Sequence, residues 1–219
     1  RGRALDGGRA AVRRAASGHR AGHPAHPRGR QGPAPLRGVR HRVCGITGTN
    51  GKTTTKELVN AVLSTKFKVS ATIGNLNNQI GVPLTLLNIK RDTDVAVVEM
   101  GASRLKDIEF LCEIAEPTCG LLTNVGTAHI EGFGSLQGVV QTKTELYRFL
   151  NSVNGKVFVN NDYENLCGQD VKNKTTYALK NEAEIKASFS NLESPFAEIE
   201  LEDNTWVKIN GIIKNSKFG

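Results

Sequence analysis

Seven consecutive residues, Gly48-Thr49-Asn50-Gly51-Lys52-Thr53-Thr54, have the types and order needed to hold a phosphate. Glycines let backbone N–H groups curl round phosphate oxygens, and a helix starting directly after them adds the positive end of its dipole. Lys52 can then reach the terminal phosphates of a nucleotide such as ATP, and Thr53 can place its hydroxyl on a Mg²⁺ ion. The full P-loop pattern asks for a glycine where Ile46 stands, so this is the shorter G-x-x-G-K-T form. The plain alternative is a glycine-rich turn with an incidental lysine.

Three further groups could do chemistry. Glu99 closes an apolar run, Val95 to Val98, where an unpaired carboxylate is costly. A magnesium ion at the P-loop would satisfy it, as would capping a neighbouring helix or pairing with a lysine. His129 is the single histidine after residue 42, in the stretch Thr127-Ala128-His129-Ile130-Glu131-Gly132. It is either a structural side chain or part of the same site. Lys143 lies three residues after Val140 and four before Tyr147, on the apolar stripe of a helix expected from Ser135, an N-cap residue type, to Leu150. A core-facing lysine must snorkel, pair with an acid or lose its proton. A neutral amine can also react with carbon dioxide, giving a carbamate that binds magnesium.

These groups need a scaffold, and the chain alternates in the required way. Val43, Cys44 and Ile46 give a strand over 42–47, and Leu58, Val59, Val62 and Leu63 put a helix over Thr53 to Ser64. Phe67 to Ala71 predicts a second strand, and Val95 to Val98 a central buried one. Leu105, Ile108, Leu111, Cys112 and Ala115 mark a helix ending before Pro117; Cys119 to Thr123 and Lys156 to Asn160 read as further strands. Asn161 to Asp170 reads as a turn or short helix, and Ile185 to Ile213 as alternating strands. The fold class is therefore α/β, a mostly parallel sheet flanked by helices, with a β-rich C-terminal portion. In such sheets ligands sit beyond the carboxyl ends of the strands. Gly48 to Thr53, Glu99 and Asn124 to His129 all fall there.

Composition narrows the field further. The 219 residues carry a formal net charge of +8, but residues 1–42 hold eleven arginines and one acid, a net +10, and the rest sums to −2. The basic balance thus belongs to one segment and is no argument for a nucleic-acid-binding fold. That segment has no Lys, Ile, Asn, Thr, Glu, aromatic residue, Met or Cys, whereas the remainder uses fifteen lysines against three arginines. Residues 1–42 are expected to be disordered or foreign to the folded protein; the functional alternative is a basic arm for nucleic acid or membrane. No apolar run is long enough to span a membrane. The four cysteines lack zinc spacing, and a reduced, cytoplasmic setting fits them as small buried hydrophobes.

Five motifs in order carry a family resemblance: Thr47-Gly-Thr-Asn-Gly-Lys-Thr-Thr54, Gly74-Asn-Leu-Asn-Asn-Gln-Ile-Gly-Val-Pro-Leu-Thr85, Val97-Val-Glu-Met-Gly-Ala102, Thr123-Asn-Val-Gly-Thr-Ala-His-Ile-Glu-Gly-Phe-Gly-Ser135 and Thr142-Lys-Thr-Glu145. Over about residues 43 to 178 the chain resembles the P-loop NTPase-like central domain of the Mur ligases. The Asn-Leu-Asn-Asn segment points to the branch that adds D-alanyl-D-alanine. The resemblance implies that ATP phosphorylates the terminal carboxylate of UDP-N-acetylmuramoyl-tripeptide and that the amine of D-alanyl-D-alanine attacks the acyl phosphate.

It also implies residue roles. Gly48, Thr49, Asn50, Gly51, Lys52, Thr53 and Thr54 bind ATP, with Thr53 and Glu99 on one magnesium ion. His129 and Lys143, as a carbamate, hold a second ion, and Asn75, Asn77 and Asn78 line the substrate side. Lys52, Glu99, His129 and Lys143 form the catalytic set of a cytoplasmic monomer in this reading, with no nucleic-acid partner. Family members also carry an amino-terminal domain for the uridine part and a carboxyl-terminal domain that closes over ATP. Neither is recognisable here, so 43–219 is expected to be a central domain cut short and inactive alone. A folylpolyglutamate synthetase-like ligase and a non-catalytic nucleotide-binding fragment are the alternatives.

Overall fold

The computed structural model describes residues 42–126, 135–189, 197–201 and 206–209. The arginine-rich segment up to residue 41 and residues 127–134, which include His129, lie outside them. Seven strands form a parallel sheet in the order β2-β3-β1-β4-β5-β6-β7: β1 (Arg42–Thr47), β2 (Val69–Ala71), β3 (Val95–Glu99), β4 (Cys119–Leu122), β5 (Lys156–Asn160), β6 (Lys174–Ala178) and β7 (Ile185–Phe189). Beyond β7, β8 (Ala197–Leu201) and β9 (Trp206–Ile209) pair antiparallel. Six helices accompany them among the described residues: α1 (Lys52–Leu63), α2 (Gly81–Leu87), α3 (Asp107–Ala115), α4 (Leu136–Lys143), α5 (Glu145–Ser152) and α6 (Glu164–Cys167).

The interiors of the central strands, Val43 to Ile46 and Val95 to Val98, carry no polar side chain because both of their faces are covered. Cys44, Ile46, Val95 and Val97 pack with Val59 and Leu63 of α1. Val43, Ala96 and Val98 point the other way, onto Ile108 and Leu111 of α3 and Leu146 and Leu150 of α5. Each branched side chain buried in this way contributes about 1.5–3 kcal/mol relative to exposure. The register Ile46↔Glu99 and Ile46↔Leu121 brings the carboxyl ends of β3, β1 and β4 level, so the segments leaving them share one edge.

Local details differ from the sequence-based expectations in four places. On α1 only Val59 and Leu63 face the sheet, while Leu58 and Val62 are exposed. The second strand starts at Val69, not Phe67, because the Lys68 N–H bonds the Asp94 carboxylate (2.9 Å) instead of joining the ladder. Helix α2 was not visible as a pattern: it is seven residues long with Pro83 in its first turn, where proline's missing N–H does no harm. Its start is made by Asn78, whose Oδ1 accepts from the N–H groups of Ile80 (3.0 Å) and Gly81 (2.9 Å). The single helix expected over 135–150 is divided at Thr144, whose hydroxyl donates back to the Val140 carbonyl (2.8 Å). Such back-bonding bends helices. Ser135 caps α4 as expected, its hydroxyl oxygen accepting from Gly138 N–H (3.0 Å).

Candidate functional site

The phosphate-type loop lies between β1 and α1, with Gly48 at φ 139° and Gly51 at φ 77°. Both values favour glycine, and a Cβ on Gly48 would collide with the Thr123 side chain. The segment after β4 braces the loop from the side. Thr49 N–H donates to Asn124 O (3.0 Å) and Asn50 N–H to Asn124 Oδ1 (3.0 Å), while Thr123 Oγ1 and Asn124 Nδ2 donate to Asn50 O (2.6 and 3.1 Å). Two of the amides expected to cradle phosphate are therefore turned to Asn124. The amides left to face an anion are those of Lys52, Thr53 and Thr54 in the first turn of α1, where helix geometry provides no internal acceptor. Lys52 folds back over the loop, Nζ donating to the carbonyls of Gly48 (3.1 Å) and Thr49 (2.8 Å). Burial lowers its pKa, and the charge of Glu99 works against that shift.

Glu99, at the end of β3, is 1% exposed. Its Oε1 accepts from Thr53 Oγ1 (3.2 Å) and from Asn77 Nδ2 (2.7 Å), and its own N–H donates to Thr72 Oγ1 (3.0 Å). Its Oε2 is buried without a hydrogen-bond partner. A carboxylate oxygen in that condition costs several kcal/mol unless something positive reaches it. The surrounding donors are all oxygens: a threonine hydroxyl and a carboxylate beside a phosphate-type loop. That set suits magnesium, a hard cation that keeps part of its water shell and takes one or two protein ligands beside phosphates. Neither a helix cap nor a lysine bond is made by this carboxylate, so the two plain alternatives for Glu99 are not what the structure adopts.

A cleft of about 600 Å³ opens beside Lys52. Lys143 faces it from α4 and is 3% exposed, with Nζ 3.5 Å from the Ala102 carbonyl. Burial, and then the charge of Lys52, lowers its pKa to about 8, against the opposing pull of Asp107 and Glu145. Snorkelling is therefore not the solution Lys143 adopts. Glu145 holds a carboxylate at the start of α3: its Oε1 accepts from Lys106 N–H (2.8 Å) and its Oε2 from Glu109 N–H (2.9 Å).

Of the residues singled out in the sequence, Thr49, Lys52, Asn77, Asn78 and Lys143 line this one cleft, and Thr53 and Glu99 are bonded to each other at its end. Asn75 is exposed and does not line it. Asn78 has its side-chain oxygen engaged in starting α2, a structural role. His129 lies outside the described residues. Sequence reasoning missed Lys56, which is fully buried, and the bracing role of Asn124. Lys56 falls three residues before Val59 and seven before Leu63, so the helical period that flagged Lys143 marks it equally. Nothing in the periodicity marks Asn124.

The family description "Mur ligase middle domain" matches residues 46–212. The UDP-N-acetylmuramoyl-tripeptide–D-alanyl-D-alanine ligase of Synechocystis is 52% identical over 104 residues, 48% of this chain and 23% of that protein. The enzyme of the same name from Bacillus subtilis is 40% identical over 121 residues, 55% of this chain and 26% of its own length. Among solved structures, the MurF ligase of Thermotoga maritima in complex with ADP superposes with a TM-score of 0.68 at 35% identity, covering 78% of this chain and 41% of that one. The chain thus spans less than half the length of each of these proteins.

Proposed function

Since this chain belongs to the Mur ligase family through its middle domain, we propose that it is the nucleotide-binding part of an ATP-dependent amide ligase that adds D-alanyl-D-alanine to UDP-N-acetylmuramoyl-tripeptide. The observation that carries the proposal is the Glu99 carboxylate, held by Thr53 and Asn77 through one oxygen and buried with the other unpartnered, at the mouth of the lysine-bearing loop. The names of the relatives supply the two substrates, and the ADP complex supports the nucleotide.

In the reaction, a carboxylate oxygen of the tripeptide attacks the γ-phosphorus of ATP as the bond to ADP breaks. The amine of D-alanyl-D-alanine then adds to the acyl carbon, and the tetrahedral intermediate collapses with loss of phosphate and of the amine proton. Lys52 and the first-turn amides of α1 bind the phosphoryl oxygens, which is the positional and electrostatic work such transfers need. Thr53 and Glu99 would hold magnesium, which neutralises phosphate charge when bound. For a second ion the described residues supply Lys143, after carbamylation, and His129 would complete that pair. Lys52 on the cleft wall favours the negatively charged groups that must meet there. The setting is cytoplasmic in this reading, and no helix among the described residues is long and apolar enough to cross a membrane.

The test is phosphate release, with ATP and magnesium, by a full-length ligase of which this chain is the nucleotide-binding part. Release should require the UDP-linked tripeptide and D-alanyl-D-alanine together. Release driven by glutamate and a folate instead, or independent of the dipeptide, would overturn the assignment.

A further inference from the structure

Lys56 has no exposed surface, and its ammonium donates to the Thr72 carbonyl (2.7 Å) and the Gly74 carbonyl (3.2 Å) and pairs with Glu57 Oε1 (2.8 Å). A buried charge is a costly way to fill space, since apolar residues of similar volume are often as good or better for stability. Its bonds go to a segment with few backbone ties to the sheet: after Ala71 the chain leaves β2, Thr72 N–H donates to the Val97 carbonyl (3.0 Å) and the Asn77 carbonyl accepts from Gly101 N–H (2.6 Å), while the carbonyls of Thr72 and Gly74 point at α1.

We infer that Lys56 is a positioning residue for the Glu99 carboxylate, acting through the 72–77 segment and not by touching the nucleotide. The inference rests on the magnesium–nucleotide reading of the site. Thr53 and Lys56 are three residues apart on α1 and share a face. Thr53 donates to Glu99 Oε1 directly. Lys56 ties down the segment that carries Asn77, whose amide donates to the same Oε1. Thr72, held by Lys56 at its carbonyl, also accepts the Glu99 N–H at its hydroxyl. The ring α1–Lys56–segment–Asn77–Glu99–Thr53–α1 is closed. Both donors act on Oε1, so Oε2 is left for an ion. Without Lys56 the segment loses its tie to α1 at the Thr72 and Gly74 carbonyls and keeps only its main-chain bonds to Val97 and Gly101, so the Asn77 amide shifts from Oε1 and the carboxylate gains freedom to rotate. Groups that orient a metal ligand in this way typically change metal affinity about 10- to 100-fold when removed.

Manganese, as a spectroscopic substitute for magnesium, tests this by paramagnetic resonance titration of the ADP-bound protein. Lys56→Met should weaken Mn²⁺ binding about tenfold or more, with ADP affinity in chelator unchanged. Asn77→Ala should do the same, and the double variant should be no weaker than Asn77→Ala alone, because the two act in series. Should Lys56→Met not fold, Lys56→Gln, which keeps one amide donor for the Thr72 carbonyl, takes its place in the cycle. A lowered melting temperature with unchanged Mn²⁺ affinity, or losses that multiply in the double variant, would overturn the inference. If the unmodified protein binds ADP but no Mn²⁺ with it, the reading of Glu99 falls and this inference with it; if Mn²⁺ binds normally in every variant, only the role of Lys56 falls.

Discussion

Burial of Lys143 makes a prediction that can be read without any substrate. Its pKa in the folded chain is pulled to about 8 from 10.5 by burial and by Lys52. The folded value lies below the unfolded one, so between these two pH values the unfolded chain still holds a proton that the folded chain has released. Stability therefore rises with pH across that window and is flat below it as far as this group is concerned. At 1.36 kcal/mol per pKa unit, the full gain is about 3 kcal/mol. The measurement is urea unfolding of the protein and of Lys143→Met at pH 7, 8, 9 and 10, in buffers purged of carbon dioxide. All other titrating groups are common to both proteins, so the difference between the profiles isolates Lys143. The stability of the unmodified protein should climb relative to the variant from pH 8 upward; parallel profiles would refute the assigned burial and charge environment. The same shift has a chemical side. At pH 7.5 a pKa near 8 leaves about a quarter of the amine neutral, against about 0.1% for an ordinary lysine. Carbon-13 bicarbonate should give a carbamate resonance that Lys143→Met lacks, and its absence from the unmodified protein would remove Lys143 as an ion ligand.

Three further outcomes are expected. Glu99→Gln keeps the hydrogen-bonding size but removes the charge, so the magnesium concentration for half-maximal nucleotide binding should rise about tenfold or more; an unchanged requirement, by calorimetry, counts against Glu99 as a ligand. Asn124→Ala removes both side-chain bonds to Asn50, at its N–H and its carbonyl, and leaves the Thr49 N–H on the Asn124 main-chain carbonyl; loss of that preorganisation should weaken ADP binding by about 1 kcal/mol, or fivefold, and equal affinity would show that the side-chain brace is dispensable. Ser135→Ala removes the cap bond to Gly138 N–H and should cost about 1 kcal/mol of stability, which Ser135→Asp should largely restore; equal melting temperatures of all three proteins would contradict the capping role.

What could be read from the sequence was whatever rests on periodicity or on a contiguous motif. The central strands are apolar in their interiors because both sheet faces are covered, and that pattern survives any local rearrangement. Lys143 was recognisable as core-facing because a helix places every third or fourth residue on one side. The break at Thr144 did not disturb this, since Thr144 keeps αR backbone angles (φ −76°, ψ −2°) and the stripe continues through it. Helix α2 was hidden because its start is written in a side-chain-to-backbone bond from Asn78, and its seven residues are too few for a period to show. The loop's brace was hidden for another reason: Thr49 and Asn124 meet only because β1 and β4 are neighbours in the sheet, a fact of topology and not of spacing.

The same distinction bears on how the proposed site would bind phosphate. Net charge pointed to polyanions in general, yet the part of the chain that forms the site sums to −2 once the arginine-rich segment is set aside. Long-range attraction cannot then account for nucleotide affinity; short-range placement has to. Lys52 and Lys143 are both drawn toward neutrality by burial, and the charge of Lys52 lowers the pKa of Lys143 further. An arriving phosphate reverses that balance by stabilising the cationic forms. Binding should therefore take up protons when the pH is near 8, where Lys143 is about half-neutral in the free protein. If carbamylation occurs, it converts Lys143 to an anion and cancels that uptake, so proton exchange on ADP binding should fall as bicarbonate is added. Calorimetry in two buffers of different ionisation enthalpy reads this directly. Proton uptake that is zero without bicarbonate, or indifferent to its addition, would contradict the coupling between Lys143 and the phosphate site.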